Sequence, residues 1–507
     1  MRRAVGYLLA VLARSLFLTL LAIAAHWPML SLPDWRGTEG RRLQIALEMV
    51  HSGNWMVPML GWEPTYAKPP LLYWILGALE RLGADGFVLL RLPSVLALAG
   101  LAVLAFAILE RHHGKNAAWI GALSIPLAPV MLHSGASIEI DPLFAALTVA
   151  SIMLLGDGLA RGSRSAFFWS GVAGGLAMLA KGPPFLMFAV GAWVAWWRRS
   201  GPRFLLPYFA PLLLLPLAYY VPLFLLHVRP SEFGAVAGEE SIGRVLAMDF
   251  GDILETPLFW GKAALLLLPW LLFAPSTVLR SAGPGAPCLF AIVGALVVLT
   301  FFPHRPTRYM LPIVPLFAFA IAPHVARYAG GGKELGPIAR RAVAALGVAG
   351  GLFLLAVPFL PAPFPGRGPV LALAFAAVPA LARTRASLVG ACWLLPILAA
   401  HTVLADQAGH WIRSGRGRTA AGRLLRAEID GLGAAERMQT LGHLNSNLLV
   451  GARLLPPGDE FARRAPRRDF VLHETSPWPV LPEMADYAVR VVLTVPGDRY
   501  VLREKIE

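Results

Sequence analysis

Charge is scarce in this chain of 507 residues: 15% of them are Asp, Glu, Lys or Arg, against 57% hydrophobic residues. A soluble globular protein carries about 25% charge, so that class is excluded. Cysteine is scarcer still, and Cys288 and Cys392 both fall in apolar runs. Two such residues supply neither a disulfide framework nor a metal cluster and read as small buried hydrophobes. There is no internal repeat and no low-complexity tract. Lysine is nearly absent from the first part, where Lys68 is the only one before Lys115.

Long apolar runs fill the space that charge leaves. Mean hydropathy is +0.61. Runs such as Pro211–Leu226 and Pro257–Leu279 recur through the first 405 residues. Runs near 20 residues read as membrane spans. About 13 are expected, which makes the chain a polytopic α-helical membrane protein. They include Val5–Ala25, Phe87–Leu109, Ala117–Leu132, Asp141–Leu155, Phe204–Leu226, Ala286–Phe302, Tyr309–Ala326, Ala342–Leu360, Pro369–Leu381 and Ala386–Leu404. Val5–Ala25 is too long for the apolar region of a signal peptide and reads as a retained span. "KGPP" at Lys181 interrupts an otherwise overlong run, so Phe167–Ala180 and Pro183–Trp196 read as a hairpin.

The net charge of +15 does not point to nucleic acid. Its Arg and Lys residues are spread through short loops between spans, where positive charge sets topology. With the N-terminus in the cytoplasm, Arg2, "ERHHGK", "RGSR", "WRRSGPR", Arg280, "KELGPIARR" and "RTR" all fall inside. The same alternation places outside the first loop (27–86), the segment before Asp141, Lys181, Arg229–Thr256, Pro303–Arg308 and the tail 406–507. One face thus carries topology charge and the other carries the candidate chemistry.

In the first outer loop, Leu43, Ala46, Leu47 and Val50 recur at helical spacing, with Arg41, Arg42, Gln44, Glu48 and His51 mostly elsewhere. This predicts an amphipathic interfacial helix, with Thr38 as N-cap and Gly53 as stop. Pro69–Gly83 is too short to span and reads as a second interfacial helix. In the tail, "RTAAGRLLRAEI" looks helical, while "RDFVLHE" and "RYVLRE" look like strands. A small α/β domain outside the membrane is expected there.

The outer set contains acids and cations at helix ends. Glu39 stands at the head of the first-loop helix, and Asp141 at the mouth of a span, where an ionisable group is a functional candidate. Lys68 and Lys181 each precede Pro or Gly-Pro. Read as helix-start lysines, they gain nothing from the positive helix end, whereas the lysine and the helix amides would both favour an anion. His304, Arg305 and Arg308 put basic charge on the face where positive-inside disfavours it. Each has a plain reading: a helix-start acid, a snorkelling lysine, a headgroup contact, and for "GEESIGR" a solvated face. Together they bring acids and phosphate-seeking cations to one membrane face.

The residue strings resemble those of the GT-C polyprenyl-phosphate-sugar glycosyltransferases, in particular lipid A aminoarabinose transferases and protein O-mannosyltransferases. The resemblance is carried by "TEGRRLQIALEMVHSGNWMVPMLGWEPTYAKPPLLYW" and then by "RLPSVLA", "IDPLFA", "LAKGPP", "LLPWLL" and "RPTRYMLPIVP", in family order across roughly residues 30–325. It implies a GT-C membrane domain over residues 1–405, a periplasmic domain over 406–507, and a multi-pass place in a bacterial inner membrane. It also implies transfer of a sugar from undecaprenyl phosphate to an acceptor, lipid A or another envelope glycan or lipid, at the periplasmic face. Carried over, Glu39 and Asp141 fall on active-site acids and Lys68 on a carrier-phosphate ligand. Arg305 and Arg308 fall in the basic stretch before the Tyr-x-Leu motif. Arg41, Lys181, Glu240, Arg244 and Tyr309 fall on substrate positions. The chain departs from the family at Thr38, where an aspartate is usual, and at Arg42, where a tyrosine is usual. The base is therefore open among Glu39, Asp141 and Asp34.

The reaction expected is an inverting transfer by a monomer, with no nucleic acid and no required cofactor. Glu39 and Asp141 could hold a divalent cation, though no ligand spacing demands one. The rival is a lipid-linked-sugar flippase without chemistry, which predicts charges paired through the spans. Arg14 and Lys262 read as isolated. A carrier-lipid receptor signalling through the tail is a third reading.

Overall fold

The computed structural model describes residues 2–32, 35, 37–61, 63–84, 86–228, 256–267, 270–273, 283–302, 305, 307–330, 384, 389–390, 425–427, 429–431, 438–441, 470–474, 487–495 and 498–505. Among these, five segments are helical, long and apolar enough to cross a membrane: Val5–Leu30, Phe87–His113, Ile140–Arg161, Leu205–Leu226 and Arg308–Gly330. The expected spans Ala342–Leu360, Pro369–Leu381 and Ala386–Leu404 lie almost wholly outside the described residues. The chain divides into two compact units, one of residues 1–30, 67–71 and 91–406, the other of 31–66, 72–90 and 407–507.

The first unit is helical. It holds α1 (Arg2–Leu30), the larger part of α4 (Phe87–His113), and α5 (Lys115–Ser124) with α6 (Pro129–Ser134). It continues through α7 (Ile140–Arg161), α8 (Arg164–Lys181), α9 (Pro184–Ser200), α10 (Leu205–Leu226), α11 (Thr256–Leu266), α12 (Ala286–Thr300) and α13 (Ile313–Gly330). The outer face of α1 exposes Val5, Leu8, Leu9, Leu12 and Leu16, and α10 exposes Leu206, Leu214, Leu225 and Leu226. Rows of exposed leucine suit a lipid surround and not water.

Three boundaries differ from the sequence reading. The run Ala117–Leu132 is two helices, because Pro126 follows α5 and removes the backbone donor that a continuous helix needs. In the run Pro257–Leu279, α11 ends at Leu266 and a 3-10 turn, Trp270–Phe273, follows; residues 268–269 and 274–279 lie outside the described residues. Tyr309 falls within the segment Arg308–Gly330 but ahead of its α-helix: it lies in a 3-10 turn, Thr307–Met310, and α13 begins at Ile313 behind Pro312.

Close packing between the helices follows from small residues. Ser151 Oγ donates to the Ser170 carbonyl at 2.8 Å, and Ser170 Oγ donates to the Ser151 carbonyl at 2.6 Å, which fastens α7 to α8. Where α9 crosses α12, a Cβ on Gly191 would stand 2.0 Å from the Phe290 carbonyl oxygen, so only glycine allows that approach. The hairpin between α8 and α9 is present as expected. It turns at Gly182, whose φ of 79° favours a residue without a Cβ.

Two internal charges were not foreseen. Arg14 is not isolated: its Nη1 bonds Glu110 Oε1 at 2.9 Å. Arg91 is fully buried, and its Nη1 donates to the Met29 carbonyl at 3.2 Å and the Leu30 carbonyl at 3.4 Å. Those are last-turn carbonyls of α1, which have no partner within their own helix.

The second unit holds α2 (Glu39–Ser52), a short hairpin of β1 (Met59–Leu60) with β2 (Glu63–Pro64), and all of α3 (Leu71–Arg81) but its first residue. Gly53 ends α2 in the left-handed conformation and donates its N–H to the Val50 carbonyl. Thr38 precedes the helix but makes no side-chain cap bond. In α3, Trp74 Nε1 donates to the Trp55 carbonyl at 2.7 Å, and Arg81 covers the Trp55 ring. The tail forms one mixed sheet of four strands, β3 (Met438–Leu441), β4 (Phe470–Glu474), β5 (Tyr487–Val495) and β6 (Asp498–Lys505), in the order β3-β4-β6-β5. β3 and β4 are parallel, and the other pairs are antiparallel. β4 and β6 coincide with the expected strands; β3 and β5 were not foreseen.

Candidate active site

The geometry begins with the α7–α8 pair. The two helices are antiparallel neighbours, so the start of α7 lies beside the end of α8. Asp141 occupies the first turn of α7, where the positive helix end favours a carboxylate, with Pro142 pre-set for helix entry. Lys181 is the last residue of α8, where the negative end favours a cation. That corrects the reading of Lys181 as a helix-start lysine with nothing to gain from the dipole. Its Nζ bonds Asp141 Oδ1. Both residues are 9% exposed, so the pair is shielded from solvent.

Aromatic faces hold the ammonium from two further sides. Lys181 Nζ lies 4.3 Å from the centre of the Tyr309 ring and 5.2 Å from that of Phe144. Such contacts contribute about 0.5–2 kcal/mol, more when desolvated. Arg308 Cζ stands 6.0 Å from the same Tyr309 ring. Arg308 and Lys68 both act on Lys181 as like charges. Positive charge from three elements therefore gathers where Asp141 brings a negative one. An anion entering there would relieve the repulsion among the cations.

Lys68 lies three residues ahead of α3, and its Nζ donates to the Ala67 carbonyl at 2.9 Å. Arg305 Nε donates to the Phe302 carbonyl at 2.6 Å and Nη1 to Thr256 Oγ1 at 3.0 Å, while the guanidinium covers the Phe259 ring. These contacts fasten the loop before the 3-10 turn to the start of α11. Glu240, Arg244, His304 and Asp34 lie outside the described residues.

In the second unit, Glu39 is the first residue of α2 and is fully buried, while Arg41 is exposed. Arg42 Nη1 donates to Tyr73 Oη at 3.0 Å. Glu48 was expected on the polar face and is instead fully buried. Its Oε1 accepts from Gln44 Nε2 at 2.7 Å and from the Gly61 N–H at 3.0 Å, which ties α2 to the β1–β2 hairpin. The spacing of Gln44 and Glu48 one helical turn apart was the available signal. Among the described residues, no three His, Cys, Asp and Glu side chains group so as to hold a metal ion.

Comparisons with known proteins agree with the fold. A family model described as dolichyl-phosphate-mannose-protein mannosyltransferase matches residues 67–224. An uncharacterised protein of Aquifex aeolicus is 32% identical over 162 residues, 32% of this chain and 37% of that one. The undecaprenyl phosphate-alpha-4-amino-4-deoxy-L-arabinose arabinosyl transferase of Erwinia tasmaniensis is 26% identical over 351 residues, 65% of this chain and 62% of that one. The transferase of the same description from Pseudomonas aeruginosa is 29% identical over 302 residues, 56% of this chain and 54% of that one. The chain thus spans about half the length of the curated relatives it matches. ArnT from Cupriavidus metallidurans, solved bound to undecaprenyl phosphate, superposes with a TM-score of 0.67 at 19% identity, over 98% of both chains. The arabinosyltransferase EmbB from Mycobacterium smegmatis superposes with a TM-score of 0.50 at 15% identity, over 77% of this chain and 40% of that one. At these identities the structures speak for the fold. The resemblance read from the sequence, to GT-C polyprenyl-phosphate-sugar glycosyltransferases like the aminoarabinose transferases, is borne out. The fold is a mainly helical, polytopic membrane fold of GT-C type.

Proposed function

We propose that the chain is a membrane glycosyltransferase that moves a sugar from undecaprenyl phosphate to an acceptor hydroxyl, on lipid A or another envelope glycan or lipid. The observation that carries this reading is the shielded Asp141–Lys181 pair with Arg308 and Lys68 in its field. A carboxylate beside several cations supplies what the reaction requires. The relatives named as arabinosyl transferases and the matching fold solved with undecaprenyl phosphate support the carrier and the chemistry.

In the proposed step the acceptor oxygen attacks the anomeric carbon from the side opposite the phosphate. The bond between that carbon and the phosphate oxygen breaks, and the carrier phosphate departs with the bonding electrons. Asp141 takes the acceptor proton as general base. Lys68, Arg308 and Arg305 balance charge on the departing phosphate. Lys181 orients Asp141, and Tyr309 orients Lys181. Glu39 keeps the role of second acid that the resemblance gives it, with Asp34 as alternative base. Arg41, Glu240 and Arg244 are assigned to substrate on the resemblance alone. The outward face is read as periplasmic from the positive-inside pattern.

Purified chain in lipid, given radiolabelled undecaprenyl-phosphate sugar and lipid A, tests this reading. Labelled acceptor and freed carrier are expected. Movement of intact donor between leaflets without cleavage would favour the flippase instead.

A further inference from the structure

A second charged cluster forms at the opposite ends of the same helices, and the proposed reaction does not use it. Asp157 lies one turn before the end of α7 and is 2% exposed. A rise of about 1.5 Å per residue puts it roughly 24 Å along that helix from Asp141. It accepts from Arg111 Nη1 at 3.0 Å, His112 Nε2 at 2.8 Å and Arg161 Nε at 2.9 Å. The next residue of α4, His113, is within electrostatic reach of His112, His324 and Arg327. On α13, Arg327 Nη2 bonds His324 Nδ1 at 2.7 Å. A guanidinium has no acceptor, so that imidazole nitrogen accepts and Nε2 carries the hydrogen. Arg199 at the end of α9 donates from Nη1 to the Gly283 carbonyl at 3.0 Å. A Cβ built on Gly283 would lie 4.0 Å from His113 Nε2, so Arg199 belongs to the same neighbourhood.

Two plain explanations account for some of this. Cations suit the negative ends of helices, and basic loops set topology. Neither requires α4, α7, α9 and α13 to bring their cations to one place, where they repel. Topology is served as well by Arg203, exposed in the turn after α9 on the same face. One carboxylate, Asp157, already takes two of the guanidiniums, Arg111 and Arg161.

We infer that this cluster, centred on His113, His324 and Arg327, holds the phosphodiester headgroup of an anionic phospholipid in the leaflet on the side of the basic loops. A phosphodiester supplies one negative charge and several acceptor oxygens, which match a guanidinium and imidazole N–H donors. The depth is that of a headgroup. Trp197, 66% exposed, stands two residues before Arg199, and Trp169, 55% exposed, lies in the second turn of α8. Exposed tryptophans mark the membrane–water interface, and basic pockets between spanning helices select anionic headgroups. The inference is independent of the transferase reading.

The test uses the full chain, purified in detergent. Thermal unfolding and native mass spectrometry are followed with dioleoyl phosphatidylglycerol, with dioleoyl phosphatidylcholine, and with glycerol 3-phosphate. Phosphatidylglycerol is expected to raise the midpoint and to remain bound, because a ligand of the folded state stabilises it. The other two are expected to do neither. His113→Asn/His324→Asn/Arg327→Gln should lose the phosphatidylglycerol shift, and Arg203→Gln should keep it. If the triple variant does not fold, Arg327→Gln alone carries the comparison. A variant that keeps the full shift, or an equal loss in Arg203→Gln, would overturn the site. A shift of the same size with glycerol 3-phosphate would overturn the lipid as its source.

Discussion

The ammonium of Lys181 bonds the carboxylate of Asp141, 40 residues earlier in the chain, with the Tyr309 ring 4.3 Å beyond it. Each partner stands at the helix end that suits its charge. The pair therefore neutralises two ions in a place largely shielded from water, and removing either one strands the other.

Stability of that pair is the first consequence. Asp141→Asn or Lys181→Met should each cost about 3–5 kcal/mol, the usual result of leaving one buried charge uncompensated. The double variant should recover much of the loss, because it strands neither charge. Chemical unfolding of the four proteins in detergent measures the coupling. Additive losses would separate the two residues energetically.

The carrier phosphate provides the second. Lys68→Ala and Arg308→Ala each remove a charged partner worth about 1.5–3 kcal/mol, so carrier affinity should fall roughly 10- to 100-fold. Retention of undecaprenyl phosphate on immobilised protein reads this directly. Binding at wild-type strength in both folded variants would remove these residues from the phosphate site.

Helix crossing provides the third. Gly191→Ala places a Cβ against the Phe290 carbonyl, where the separation would be 2.0 Å. It should destabilise the chain by about 1–3 kcal/mol. Gly6→Ala meets nothing within 4 Å and should be silent. Thermal unfolding of the two variants side by side makes the comparison.

A fourth concerns the first loop. Glu48→Ala leaves the Gly61 N–H and the Gln44 amide without their shared acceptor, at about 1–3 kcal/mol. Limited proteolysis should then cut the segment around β1 and β2 sooner. Glu48→Gln, which keeps an acceptor oxygen, should lose less.

The sequence made some of these features legible and hid others for physical reasons. The hairpin at Lys181 was readable because Gly-Pro-Pro punctuates any helix, and α2 ended at Gly53 because only glycine adopts φ 68° without strain. The meeting of Asp141 with Lys181 was not readable. Periodicity gives the faces of a helix, whereas their contact depends on how α7 and α8 pack. Nor could the pattern say to which helix Lys181 belongs, and so which dipole it feels. Glu48 looked solvated because its buried partners, Gln44 and a backbone N–H, carry no apolar signal. β5 was missed because a register shift between Val489 and Val491 breaks its alternation. Lys68 stood out as an anion-seeking lysine from its place before Pro-Pro; the resemblance supplied its carrier-phosphate role and Tyr309 as a site residue.

The account rests on a carboxylate that does chemistry beside cations that hold a phosphate. Its most direct test is single-turnover transfer from radiolabelled undecaprenyl-phosphate sugar by purified wild type and by Asp141→Asn, with carrier binding measured on the same samples. The account predicts that the variant still binds the carrier but transfers the sugar about 10²–10⁴-fold more slowly. Transfer at the wild-type rate by folded Asp141→Asn would contradict it.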